Sequence, residues 1–115
     1  MTLGEKQRLF TKLIGQLINF AYASGYELTF GDAYRSPEQA ALNAVKGSGI
    51  ANSLHTKRLA VDFNLFKDGV YLTDTAAYEP LGKFWESLDA GCCWGGRFVT
   101  RADGNHFSIQ DGGVK

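Results

Sequence analysis

The sequence predicts an α+β domain, with helices and strands segregated rather than alternating as repeated βαβ units. Three observations carry that expectation. Apolar residues recur at helical spacing near the N-terminus, they alternate at strand spacing over residues 26–30, and the segment 91–110 is Gly-rich with a short strand at its end. A length of 115 residues lies in the single-domain range, so one domain over 1–115 is expected. Two Trp, five Tyr and eight Phe supply enough large apolar surface to offset the ordering entropy, which excludes a disordered chain.

The elements follow in order. Leu9, Leu13 and Leu17, with Phe10, Ile14, Ile18 and Ala21, form one wide apolar stripe on a helix over 5–24, and Gly25 is placed to stop it. Tyr26, Leu28 and Phe30 alternate with Glu27 and Thr29 as a half-buried strand. Ser36-Pro37 reads as an N-cap and first helical position, starting a helix that runs to Val45 and ends in a flexible Lys46-Gly47-Ser48-Gly49 loop. A strand over 58–66 meets a Lys67-Asp68-Gly69 turn into Val70-Tyr71-Leu72. A third helix is expected over 75–88, and a last strand around His106 to Ile109.

Charge and cysteine usage exclude several function classes. Twelve Lys+Arg balance twelve Asp+Glu, which argues against a nucleic-acid binder that neutralises many phosphates. The most apolar stretch, Leu9 to Tyr22, is interrupted by Thr11, Lys12, Gly15, Gln16 and Asn19, so no membrane span is expected. The N-terminus has no secretory leader pattern, and synthesis in a cytoplasm is expected. Cys92 and Cys93 are adjacent, a spacing that rarely closes a disulfide, and are expected to be small buried hydrophobes; a redox or metal-transfer role is the alternative.

The chemistry rests on the chain's two histidines. His55 lies seven residues before Asp62, and His106 lies three after Asp103. Two imidazoles and a carboxylate suit Zn²⁺, which needs three protein ligands and an open position for catalysis; a further carboxylate, Asp103, can serve as base. Other readings stay open: a histidine can simply be a hydrogen-bonded residue, and Asp103-Gly104 is a common turn pair. Asp62 is harder to explain that way, because it interrupts the apolar run Leu59-Ala60-Val61-Asp62-Phe63, where an unpaired carboxylate is costly to bury.

Ser53-Leu54-His55-Thr56-Lys57-Arg58-Leu59-Ala60-Val61-Asp62 resembles the S-x-H-x6-D motif of the D-alanyl-D-alanine metallopeptidases, and Asp103-Gly104-Asn105-His106 resembles their D/E-x-x-H motif. The resemblance spans Tyr34 to Phe107 and is nearest to small phage endolysins that are L-alanyl-D-glutamate peptidases. It implies a small hedgehog/D,D-peptidase-like fold, an antiparallel sheet flanked by helices with a zinc site. His55, Asp62 and His106 match the zinc ligands and Asp103 the catalytic carboxylate. Tyr34-Arg35-Ser36-Pro37-Glu38-Gln39 resembles the Y-R-S-x-x-x-Q segment, whose arginine binds substrate or a developing oxyanion, a role suited to Arg35. Gln39 and Ser53 are implied as pocket residues, with helix capping the alternative for Ser53. Trp94-Gly95-Gly96 resembles the W-G-G stretch; Trp94 either walls the cleft or packs in the core. Many relatives carry Gly three residues after the first histidine, where this chain has Arg58, a change expected to reshape one side of the cleft.

The function implied is hydrolysis of the peptide stem of peptidoglycan by a monomeric zinc peptidase that has no nucleic-acid or membrane partner. An endolysin would gather in the host cytoplasm and reach the wall after holin-type release. The alternatives are a D-alanyl-D-alanine carboxypeptidase and a non-catalytic zinc module that binds the wall.

Overall fold

The computed structural model describes residues 1–47, 49–50 and 52–115; Ser48, within the expected flexible loop, lies outside them. Helix α1 spans Leu3–Ala23. It opens with a capping box: the Thr2 hydroxyl accepts the Glu5 N–H at 3.1 Å, and Glu5 accepts the Thr2 N–H at 2.9 Å. Its buried face is Phe10, Leu13, Ile14, Leu17 and Ala21, the expected stripe, and Gly25 ends it at φ +89°. Strand β1, Glu27–Phe30, lies at a sheet edge. Tyr26 and Leu28 pack on the core, but Phe30, expected inside, is 68% exposed and touches the sheet through Phe63. Helix α2, Pro37–Val45, starts at Ser36 as expected, with the Ser36 side chain accepting from Gln39 N–H.

Strand β2, Ala60–Lys67, is the axis of the sheet. Its second half pairs with β1 on one side and with β3, Val70–Leu72, on the other; its first half pairs with β5, His106–Ile109. The β2–β3 hairpin turns at Asp68 and Gly69, both at positive φ (52° and 76°), as a two-residue connection requires. Strand β4, Cys92–Trp94, completes the order β1-β2-β5-β4, all pairs antiparallel. This strand was not expected, because its glycine-rich surroundings hide three residues of β structure.

The expected third helix divides into a 3₁₀ turn, Thr75–Tyr78, and α3, Glu79–Leu88. Pro80 explains the division: it has no N–H for the Ala76 carbonyl, which instead accepts from Glu79 N–H in an i→i+3 bond. Strand alternation then sorts β2. Val61, Phe63 and Leu65 are buried in the core with α1, Leu81 and Trp85 of α3, and Phe107 of β5, while Asp62 and Asn64 take the opposite face.

Candidate metal centre

The site is built on that opposite face. Asp62 N–H donates to the Asp32 carbonyl at 2.7 Å and the Asp62 carbonyl accepts from Gly31 N–H at 2.7 Å, so both of its backbone groups point toward β1. Toward β5, Asp62 and His106 are therefore a non-hydrogen-bonded antiparallel pair, the arrangement that brings side chains closest together. The remaining imidazole comes from a 3₁₀ turn, Leu54–Lys57, whose N-cap Ser53 accepts the His55 N–H at 3.2 Å. His55 Nε2 and His106 Nδ1 each lie 3.4 Å from Asp62 Oδ1. One ligand atom from each of the three residues lies within 4.8 Å of the others.

The second ring nitrogens fix the tautomers. His55 Nδ1 lies 2.9 Å from the Ala33 carbonyl, and His106 Nε2 lies 3.2 Å from the Lys115 main-chain oxygen. Such oxygens can only accept, so in each neutral ring the proton sits on the outer nitrogen and the lone pair faces Asp62. Asp62 Oδ1 is buried and, among the described residues, has no hydrogen-bond partner. A buried carboxylate oxygen flanked by two imidazole lone pairs has unmet need for a cation, and the donor set N, N, O with a cleft on its open side is that of a catalytic zinc centre. The residues fit the metal.

Electrostatics agree. Burial pushes the Asp62 pKa up, but His106 and then His55 outweigh it and bring it to about 2. Burial pushes His55 down, and the facing Asp62 carboxylate more than reverses this, so its pKa is raised. Asp103 stands exposed on the rim of the same cleft; partial desolvation, then the charge of Asp62, raises its carboxyl above the ordinary range.

The cleft encloses about 490 Å³ and brings together Arg35, Ser53, His55, Asp62, Asp103 and His106 from four separate segments. Arg35 is held by Asp32, its Nη2 donating to Oδ2 at 2.7 Å, an ion pair within its own loop. Ser53 is 6% exposed and caps the His55 turn, which makes it a support of the ligand more than a wall of the pocket. Gln39 lines a neighbouring groove that shares Arg35 and bonds Asn43 at 2.7 Å, so it does not face the His/Asp cluster.

Trp94 corrects one expectation. It does not wall the cleft: it is 3% exposed in the core, and its indole N–H donates to the Gly104 carbonyl at 2.7 Å, bracing the loop from Asp103 to His106. The glycines beside it serve the same packing, since a methyl at Gly95 would strike the Asp103 carbonyl and one at Gly96 the Trp94 ring. Arg58 is a second correction. It lines no part of the cleft; it ends the His55 turn in the left-handed region at φ 57°, which is why glycine suits this position, and its guanidinium lies 4.1 Å over the Tyr34 ring. Cys92 and Cys93 are free thiols with raised pKa, Cys92 at about 12 through burial; only Cys92 is fully buried, and neither lines the cleft.

Sequence reading missed several cleft residues. Phe98 packs against the His106 ring at 5.3 Å, and Arg101 and Ile50 also line the cleft. Their loops carry no periodicity, although an Arg two residues before the Asp103 carboxylate was a usable signal. No helix of the described residues is long and apolar enough to cross a membrane.

Comparison with known proteins gives the same family from sequence. The profile of the D-alanyl-D-alanine carboxypeptidase family matches residues 46–109, from the end of α2 through both histidine motifs to β5. No curated protein sequence matches. Among solved structures, the Serratia marcescens L-Ala D-Glu endopeptidase ChiX superposes with a TM-score of 0.75 at 20% identity, over 93% of this chain and 85% of that one. A mutant of the vancomycin-resistance D,D-pentapeptidase VanY from a VanB-type cassette, solved with Zn(II), gives 0.58 at 20% identity, over 87% and 70%. The fold is theirs, and with more than half its length under the family profile, the chain belongs to the D-alanyl-D-alanine carboxypeptidase family of metallopeptidases.

Proposed function

We propose that this chain is a zinc-dependent endopeptidase that cuts the L-alanyl-D-glutamate bond of the peptidoglycan stem, in the manner of a phage endolysin acting on the host wall after holin-type release. The observation that carries the reading is one cleft holding the His55, Asp62 and His106 donor set with a separate carboxylate, Asp103, at its rim. His55 Nε2, His106 Nδ1 and an Asp62 oxygen would hold the metal. Bound zinc supplies Lewis acidity to a scissile carbonyl and makes water a stronger nucleophile near neutral pH.

The rest of the chemistry belongs to the chain. Asp103 accepts the proton of the attacking water and returns it to the departing amine; a carboxyl raised above its ordinary pKa is better matched to that double task than a fully acidic one. Arg35, oriented by Asp32, presents guanidinium donors to a substrate carboxylate or to the oxygen that gains charge as the carbonyl becomes tetrahedral. Phe98 packs at a tilt against the His106 ring, an apolar contact on that side of the cleft. Murein stems carry free carboxylates, and the cleft offers Arg35 and Arg101 to meet them.

The choice of bond is supported by the longer and tighter superposition on the L-Ala D-Glu endopeptidase ChiX than on VanY. The family's own description favours a second reading, removal of a terminal D-alanine. Digestion of purified sacculi, followed by mass spectrometry of the new termini, separates them. New L-alanine C-termini paired with D-glutamate N-termini are expected; free D-alanine as the sole product would overturn the endopeptidase reading.

A further inference from the structure

The segment after β5 does more than end the sheet. Asp111-Gly112-Gly113-Val114 forms a tight turn closed by Asp111 N–H to the Val114 carbonyl at 3.0 Å and Val114 N–H to the Asp111 carbonyl at 2.9 Å. Both central glycines have positive φ, 55° and 79°, a conformation that side chains resist. The turn folds the chain back so that the Lys115 main-chain oxygen reaches the outer nitrogen of His106 at 3.2 Å and also accepts from the Ser108 hydroxyl at 3.2 Å.

Asp111 anchors that turn from two directions. Its Oδ1 lies 2.8 Å from Lys6 Nζ on α1, and its Oδ2 lies 2.8 Å from Lys57 Nζ at the end of the turn that carries His55. The carboxylate therefore ties the support of one histidine to the segment bearing the other.

We propose that Asp111, through its Lys6 and Lys57 bridges, is a positioning residue for the metal centre: it holds the 111–115 turn so that the Lys115 main-chain oxygen keeps the His106 proton on Nε2 and leaves Nδ1 free to bind. This rests on the metal site proposed above. Outer-shell partners of metal-bound histidines set tautomer and ring orientation, and their loss typically weakens metal binding about 10–100-fold.

The test compares Zn²⁺ affinity, by chelator competition, in the wild type, Asp111→Ala and Asp111→Glu, with Glu79→Ala as control for loss of a surface ion pair (Lys83–Glu79, 2.9 Å) whose residues do not line the cleft. Nitrogen-15 NMR of the imidazoles reads the His106 tautomer directly in the metal-free proteins. Asp111→Ala is expected to bind zinc about tenfold or more weakly and to show a mixed His106 tautomer, while Asp111→Glu recovers most of the affinity and Glu79→Ala loses none. If Asp111→Ala does not fold, Lys57→Met asks the same question with Lys6 still in place, and a smaller loss of affinity with the same tautomer change is expected. Unchanged zinc affinity and an unchanged His106 tautomer would overturn the inference. A wild type that binds no zinc would instead overturn the metal site on which it rests.

Discussion

Arg58 offers a quantitative test of how the His55 turn is built. A non-glycine residue in the left-handed region costs about 1–2 kcal/mol, and glycine there relieves it. Glycine brings an entropic cost of about 0.5–1 kcal/mol on folding. The same substitution also removes the Arg58–Tyr34 contact, worth about 0.5–1 kcal/mol at a site this exposed. These contributions nearly cancel, so Arg58→Gly alone should change stability by less than about 1 kcal/mol. The sharper quantity is the coupling. In a Tyr34→Ala background the contact is already gone, and Arg58→Gly should be more favourable by about 0.5–1 kcal/mol than in the wild type. Urea unfolding of the wild type, both single variants and the double variant measures it. A coupling of zero would refute the cation–π compensation, and a loss above about 2 kcal/mol for Arg58→Gly alone would refute the claim of backbone relief. Zinc binding should be unaltered by Arg58→Gly itself, since the Arg58 side chain lines no part of the cleft.

Other outcomes follow from the same contacts. Asp103→Ala should retain zinc at the wild-type level and lose about 10²–10⁴-fold in peptidase rate; loss of zinc with activity would show that Asp103 is a ligand rather than a base. Gly82→Ala drives a methyl into the buried Trp94 ring and should cost about 3 kcal/mol or more in thermal unfolding, whereas an unchanged Tm would mean the ring can move aside. Asp111, held at about 2 by Lys57 and then Lys6, should stabilise the fold above the ordinary carboxylate pKa and cease to do so as pH falls through about 2. Asp111→Asn should therefore lower Tm clearly at pH 6 and much less near pH 2, where the carboxylate is already about half protonated; an equal deficit at both pH values would contradict the ion-pair origin.

Much of the site was legible because its residues violate the pattern of their surroundings. Asp62 interrupts an apolar strand, and a strand's period places it opposite the core, where only a partner of opposite charge makes its burial tolerable. The stripe of α1 was equally readable, being local in sequence, whereas its Thr2–Glu5 capping box went unread and starts the helix two residues before the expected Glu5. What escaped reading depends on contacts between distant segments. β4 is three residues long and exists because β5 pairs with it. By residue type Trp94 suits cleft or core alike; its burial and the Gly104 carbonyl at its indole nitrogen, a contact between separate segments, place it in the core. The oxygens that orient the histidines, those of Ala33 and Lys115, belong to the main chain and leave no mark on residue identity. Pro80 was visible in the sequence, yet its effect of splitting a helix into a 3₁₀ turn and α3 depends on which carbonyl loses its donor.

The central claim is that His55, Asp62 and His106 together hold one metal ion. The most direct measurement is zinc stoichiometry, by elemental analysis after equilibration and gel filtration, for the wild type and for His55→Ala, Asp62→Ala and His106→Ala. One zinc per chain in the wild type and strongly reduced content in each variant is the predicted result. Full zinc content in any folded single variant would contradict it.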